Sequence, residues 1–474
     1  MRTRLKYELR KLDQRLRKLV SFGPTLAAHR SVRHRLALDG RRPAGQEPLR
    51  IMAIACWGFP IYSQSFVYHE LAELIKAGFE LRFIYSGLHP RQHLPPNCSA
   101  LWEVKRQLLV HPTLGKSDFK FLHKTMPDRL DEIIADLCRF SDLSREQVIA
   151  HRHFLQACSF TRLAKAYRPD YLHSYFFYEG SLCVLVAGRL LGIPRGVSCY
   201  ADHLMDDYDL KVMPLHLRSA DPIVATSERI RDELLGITDG VDPDSIVVKP
   251  NAIDSSVFVP RERPEPDQAQ PLRLVCVSRL AAKKGLEYLV EAVKILNADT
   301  NVVELTILGA ADEHDPTSVQ FARDLDRRIA DSGLRTAVHV EGPVPQGEVV
   351  RHLQRSHVFV APFVELASGD KDGIPTSVLE AMATALPVVV TNAGSITEVV
   401  DNEHEGLIVP QRDPDALAQA IRQIAGSADL RIRLGNNGRA KIRERFDVEV
   451  CEGVFHDRIR ARISGSRSGE SVLA

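Results

Sequence analysis

"LRIMAIACWGFPIYSQSFVYHELAELIKAGFELRFIYS", residues 49–86, decides the fold. It opens on a short apolar run, "LRIMAIACW" (49–57), of the length of a buried strand. "SFVYHELAELIKAG" (65–78) then carries apolar residues at helical spacing and stops at Gly78, a residue suited to ending a helix. "ELRFIYS" (80–86) returns to strand, so the segment reads as β-α-β, the unit of a parallel sheet.

The rhythm extends along the chain. Prolines and charged helices at about 88–150 interrupt it and predict an insertion, after which "YLHSYFF" (171–177), "RGVSCYA" (195–201) and "PIVATS" (222–227) read as further strands. The proline- and charge-rich "VPRERPEPDQAQP" (259–271) reads as a linker. A second series follows: strand 272–278, helix 285–296, strand 303–309, helix about 318–332, strand 338–342, helix about 346–355, strand 357–363, a helix from Pro375, then strands 387–391 and 406–410. The expected class is α/β, with two Rossmann-like doubly wound domains whose ligand cleft lies between the C-terminal edges of both sheets.

Composition bounds the function. The 474 residues are 44% hydrophobic and 26% charged, ordinary for a globular chain of two or three domains. The eight cysteines (56, 98, 138, 158, 183, 199, 276 and 451) are scattered without a C-x-x-C pair, which points to reduced thiols in a cytoplasmic setting and away from zinc or disulfides. No run of eighteen apolar residues and no signal-peptide core is present, so the expected location is cytoplasmic.

Residues 1–50 hold fourteen Lys/Arg against four Asp/Glu, while the whole chain is only +1. Leu5, Leu9, Leu12, Leu16 and Leu19 recur at helical spacing among these cations, the pattern of a basic amphipathic helix. Such a helix fits an anionic membrane surface, a peripheral contact through residues 1–42, and equally fits docking on its own protein or a partner. With an acidic remainder and no stacking motif, nucleic acid is not expected.

The chemistry concentrates in the second half. "SRLAAKKG" (278–285) leaves a strand and enters a helix, setting Arg279 and Lys284 at the cleft edge with Gly285 at the helix start. Alone this is also a solvated basic loop; beside "GDKDGIPTSVLEAMA" (369–383) it becomes an anion site. There Gly373, Ile374 and Pro375 lead into a helix whose first N–H groups, of Thr376 and Ser377, point outward. A phosphate fits between those amides and the two cations, with Glu380 and Asp372 placed to accept hydrogen bonds from hydroxyls on the attached groups.

These motifs resemble the donor half of GT-B glycosyltransferases of family 4, the retaining group. The match consists of Arg279, Lys284-Gly285, an acid followed by seven residues and Glu380-Ala381-Met382-Ala383, then "LPVVVTNAGSITEVV" and "GLIVP". "VVKPNAIDSSVFVP" (247–260) and "FPIYSQSFVYHELAELIKAGFEL" (59–81) are similar to members that build bacterial exopolysaccharide and lipopolysaccharide, the resemblance covering roughly residues 50–450. It implies that Arg279 and Lys284 neutralise the pyrophosphate of a nucleotide sugar, that Glu380 binds its ribose, and that Asp372, where glutamate is usual, binds a hydroxyl of the transferred sugar. It also implies a glycan or lipid-linked acceptor and contacts from His173, Tyr200 and His203, Tyr200 standing where the family usually has histidine.

No permanent cofactor and no metal are expected: Arg and Lys supply the charge, and the D-x-D within "DDYD" (206–209) reads as a helix start or surface loop. A nucleotide-sugar epimerase, a sugar phosphorylase, or a non-enzymatic nucleotide-sugar-binding scaffold would use the same cleft. The expected organisation is a basic extension at 1–47, a first domain at 48–259, a donor domain at 270–446, a crossover helix at 447–464 and a disordered tail at 465–474.

Overall fold

The computed structural model describes residues 26–40, 48–55, 58–61, 64–200, 203, 209–262, 271–298, 302–313 and 315–470. The basic helix expected within residues 1–25, most of the linker, the first three residues of "DDYD" and the last four of the chain lie outside these. The chain divides into two compact units, one of residues 1–225, 231–247 and 455–474, the other of 226–230 and 248–454.

The first unit is built on a parallel sheet. Its strands are β1 (Arg50–Ile54), β3 (Glu80–Tyr85), β5 (Lys105–Gln107), β6 (Tyr171–Tyr175), β7 (Arg195–Cys199), β8 (Ile223–Ala225) and β9 (Ile246–Val248), in the order β5-β3-β1-β6-β7-β8-β9. Gly58–Phe59 (β2) and Gly87–Leu88 (β4) make a separate two-stranded ladder. β1 and β6 are buried at every residue, so they read as unbroken apolar runs rather than alternating ones.

The segment expected as an insertion is partly sheet. β5 within it pairs parallel with β3, preceded by the short helix Leu101–Val104 and followed by helices Pro112–Thr125, Pro127–Arg139 and Arg145–Ala150. Three polar residues cannot fill both faces of a strand core, and β5 sits at the sheet edge, half-buried throughout; that is why its residues do not read as a strand. Residues 26–39 form a helix whose buried Leu36 joins the core containing Leu130, Ile134, Phe154 and Leu182. His29 on the same helix lies 3.6 Å from the buried Asp118 carboxylate, so this part of the basic extension docks on the protein itself.

The second unit holds β10 (Leu272–Val277), β11 (Val303–Leu308), β12 (Val338–Val340), β13 (Val358–Ala361), β14 (Val388–Thr391) and β15 (Gly406–Val409). All pair parallel in the order β12-β11-β10-β13-β14-β15. This is the 3-2-1-4-5-6 order of a doubly wound sheet, and its direction reverses between β10 and β13, where ligands bind in such sheets. The two strands are in register at Leu274 with Val358 and Val275 with Phe359.

The expected boundary at the linker moves. Residues 248–262 belong to the second unit: the Ile253 N–H donates to the Phe446 carbonyl at 2.8 Å and the Ile253 carbonyl accepts from the Val448 N–H at 3.1 Å. Ile253 and Phe258 are buried in the same core as Phe359 and Met382. The final helix, Val448–Glu470, contributes Phe455, Ile459 and Ile463 to the core of the first unit. It also runs six residues into the tail expected to be disordered from 465. The Ser/Gly-rich composition lowers helix propensity, but extending a helix already nucleated adds one hydrogen bond per residue.

Candidate functional site

The switch point between β10 and β13 gathers the second half's polar residues. Beyond β10 the chain turns through Ala282–Lys284 and reaches Gly285 with φ 57°, a left-handed conformation that glycine adopts without strain. A Cβ there would stand 2.0 Å from the Pro362 carbonyl oxygen just past β13, so only glycine permits this approach of the two strand ends. The turn delivers Lys284 inward: it is 9% exposed, its Nζ is 4.0 Å from the centroid of the Phe363 ring, and it donates to Asp372 Oδ2 at 2.6 Å.

A second lysine joins it. Lys283 Nζ donates to Asp370 Oδ1 at 2.9 Å and lies 3.6 Å from Asp372 Oδ1. Burial pushes the Lys284 ammonium below its ordinary value, against the pull of the Asp372 charge. Burial would raise the Asp372 carboxyl, but the Lys284 and Lys283 charges outweigh it and hold the group below the usual carboxylate range. The Asp372 carboxylate is therefore ionised at neutral pH, and Lys284, 2.6 Å away, is its nearest counter-charge.

Asp372 is fixed from the backbone side too. Its carbonyl accepts from Arg229 Nη2 at 3.0 Å, while Arg229 Nε donates to Ser395 Oγ at 2.9 Å. Gly394, at φ 58°, comes so near that a Cβ on it would lie 2.1 Å from the Asp372 carbonyl oxygen. The Gly394 N–H in turn donates to Glu365 Oε1 at 3.0 Å.

After Asp372 the chain passes Gly373 and the buried Ile374 into the helix Thr376–Ala383. Pro375 was expected at the first helical position; it is the N-cap instead, with extended backbone (ψ 122°) and its carbonyl accepting from the Val378 N–H at 3.1 Å. Thr376 and Ser377 thus become the first two helical residues, and their N–H groups find no acceptor among the described residues. One turn on, Glu380 is half-buried, its carboxylate has no hydrogen-bond partner among the described residues, and burial pushes its pKa up to about 7. Arg279, two residues beyond β10, is exposed, and its positive charge acts on both Lys284 and Asp372.

The first unit treats its expected residues differently. His173 has no exposed surface: its Nε2 lies 2.9 Å from Ser198 Oγ, and the rings of Tyr175 and Phe455 stand 5.0 and 5.1 Å away. His173 is thus enclosed by Ser198, Tyr175 and Phe455. Tyr200 follows β7 and joins Phe66 and Phe176, ring centroids 4.7 and 4.9 Å apart from its own. His203 is buried with Nδ1 3.2 Å from Cys199 Sγ and Nε2 3.0 Å from Glu233 Oε2. No group of three or more metal-ligating side chains occurs among the described residues.

Two family profiles match the chain, Glycosyl transferases group 1 over residues 271–427 and Glycosyltransferase Family 4 over residues 143–257, together more than half of its length. The chain belongs to glycosyltransferase family 4. This glycosyltransferase is 26% identical over 408 residues to the amylovoran biosynthesis glycosyltransferase AmsK of Erwinia amylovora, covering 83% of this chain and 95% of the relative. It is 27% identical over 406 residues to the putative colanic acid biosynthesis glycosyltransferase WcaL of Escherichia coli, with the same coverage. Its fold is GT-B: a glycosyltransferase from Rickettsia africae superposes with a TM-score of 0.65 at 15% identity over 88% of this chain and 99% of that one. Anabaena HepE in complex with UDP and glucose gives 0.65 at 14% identity over 87% and 100%.

Four residues of this glycosyltransferase's site, Lys283, Asp370, Arg229 and Gly394, lie outside the sequence expectation. Lys283 was visible beside Lys284 in "AAKKG". Arg229 had no signal, since it meets Asp372 from 143 residues away.

Proposed function

We propose that the enzyme is a retaining hexosyltransferase that moves a sugar from a nucleoside-diphosphate sugar to a glycan or lipid-linked acceptor in the assembly of bacterial cell-surface polysaccharide. The observation that carries this reading is the Lys284–Asp372 pair, 2.6 Å apart at the switch point, beside a helix start with two unsatisfied N–H groups. An ammonium has three donors, so Lys284 can keep Asp372 and still reach a phosphate. The names of AmsK and WcaL support the polysaccharide setting, and the HepE complex supports a nucleotide sugar as donor.

In the reaction the bond from the sugar's anomeric carbon to the β-phosphate oxygen breaks, its electron pair leaving with the nucleoside diphosphate. An acceptor hydroxyl oxygen forms the new bond on the same face, and its proton passes to the departing phosphate. Negative charge grows on that phosphate in the transition state. Arg279, Lys284 and the Thr376 and Ser377 amides, with Gly285 and Gly373 keeping the loops close, stabilise it more there than in the ground state. Asp372 orients a hydroxyl of the sugar, and Glu380 accepts from the ribose hydroxyls. Tyr200 and His203 flank the acceptor.

No helix among the described residues is long and apolar enough to cross a membrane, and the proposed location is cytoplasmic, with residues 1–25 of the basic extension reaching an anionic membrane surface while the helix at 26–39 stays docked on the protein. The test is a panel of UDP-, GDP- and ADP-sugars with purified protein and a lipid-linked glycan extract. Sugar recovered on the acceptor with matched nucleotide release supports the reading. Epimerised sugar, phosphorolysis, or binding without turnover would replace it with one of the other uses of this cleft.

A further inference from the structure

At the N-terminal ends of β7 and β8, the edge of the first sheet opposite the strand ends that lead to Tyr200, lies a cavity of about 390 Å³. Three arginines line it, Arg189, Arg195 and Arg462, with two carboxylates, Asp136 and Asp221. Both carboxylates are already committed. Asp136 pairs with Arg189 at 2.7 Å, and Asp221 takes a two-pronged bond from Arg458 at 2.8 and 2.9 Å with Arg462 at 3.3 Å.

Arg195 is the charge left over. It is 6% exposed, and its side chain has one hydrogen-bond partner among the described residues, the neutral hydroxyl of Ser219. Burial and the nearby Arg189 lower its pKa to about 9, which still leaves it cationic at neutral pH. A buried guanidinium whose one hydrogen-bond partner is a hydroxyl is costly unless an anion meets it.

We propose that this cavity binds the phosphate group of a small phosphorylated metabolite, at a site separate from the donor's. The forked donors of Arg195 and Arg462 match the geometry of phosphate oxygens. A volume of about 390 Å³ is near the lower end of ligand pockets, roughly 300–1,000 Å³, and too large for a bare ion. Ile193 and Leu215 give it an apolar wall for a carbon skeleton.

The test is calorimetric titration of the full chain with inorganic phosphate and with ribose 5-phosphate, chloride being matched for ionic strength. It is run in a Lys284→Ala background, which weakens phosphate binding at the donor site. Saturable binding that falls about tenfold or more with Arg462→Gln, equivalent to ~1.4 kcal/mol, supports the site. Arg462 is half-exposed, and its replacement leaves the Arg458 bond in place. Tighter binding of ribose 5-phosphate than of phosphate supports a phosphorylated metabolite as the ligand, and inorganic phosphate bound as tightly or more tightly overturns it. Absence of saturable binding in Lys284→Ala, or binding that neither Arg462→Gln nor Arg195→Lys alters, overturns it.

Discussion

Lys284 Nζ lies 2.6 Å from Asp372 Oδ2 although 88 residues separate them in the chain. The contact joins the cation proposed for the donor phosphate to the acid proposed for the sugar, so each sets the other's charge and position. Lys284→Ala removes both the phosphate contact and the nearer counter-ion of Asp372. Loss of one such transition-state contact lowers turnover by roughly 10²-fold or more. Asp372 retains Lys283 at 3.6 Å, so the fold survives. Nucleotide release measured beside circular dichroism checks this; near-normal turnover in a folded variant would remove Lys284 from the proposed role.

Much of this architecture was legible in the residues. The buried parallel strands read as apolar runs, and the turns ending at Gly285 and leading to Thr376 carried their own local signals. What the sequence hid were relationships between distant segments. Nothing local in β5 marks it as an edge strand, because its three polar residues need no apolar pattern at the sheet margin. Likewise Arg229 reaches Asp372, and Ile253 anchors the stretch before the linker to Phe446, only once the chain has folded. The enclosure of His173 by Tyr175, Phe455 and Ser198 is another such relationship, since Phe455 arrives from the final helix.

Glu380 gives a pH dependence with a definite sign. Its carboxyl titrates near 4.5 when unperturbed and at about 7 in the folded protein. Between those values the folded state holds the extra proton, so this residue's contribution to stability falls as pH rises through that window. Ribose hydroxyls need the ionised form as acceptor, so donor affinity should rise from pH 6 to 8. Glu380→Gln should flatten both trends, measured by denaturant unfolding and by nucleotide titration. A donor affinity in the parent protein that is level across that range would contradict the ribose role.

Gly394 sets where Asp372 can sit. Alanine there puts a methyl 2.1 Å from the Asp372 carbonyl oxygen at φ 58°, and left-handed backbone on a non-glycine residue costs on the order of 1–3 kcal/mol. Gly394→Ala should therefore lower Tm and depress kcat more than donor binding, since the ribose and phosphate contacts lie elsewhere. Thermal unfolding and a kcat-against-KM comparison decide it; unchanged kcat would mean that the position of Asp372 is not critical to turnover.

Lys283 braces the same acid without being its principal partner. Its bond to Asp370 is to a side chain 52% exposed and contributes only about 0–1 kcal/mol, so Lys283→Met should leave the fold intact. Its charge, however, lowers both the Lys284 ammonium and the Asp372 carboxyl. Removing that charge raises both: Lys284 keeps its proton to higher pH, and Asp372 takes one up sooner as pH falls. With donor saturating, so that Glu380 does not set the acid side, both limbs of the kcat–pH profile should then move toward higher pH, and Lys283→Arg should move them back. A general structural defect would lower the whole curve without shifting it. Limbs that stay in place in Lys283→Met would show that the two lysines do not share the charge of Asp372 during turnover.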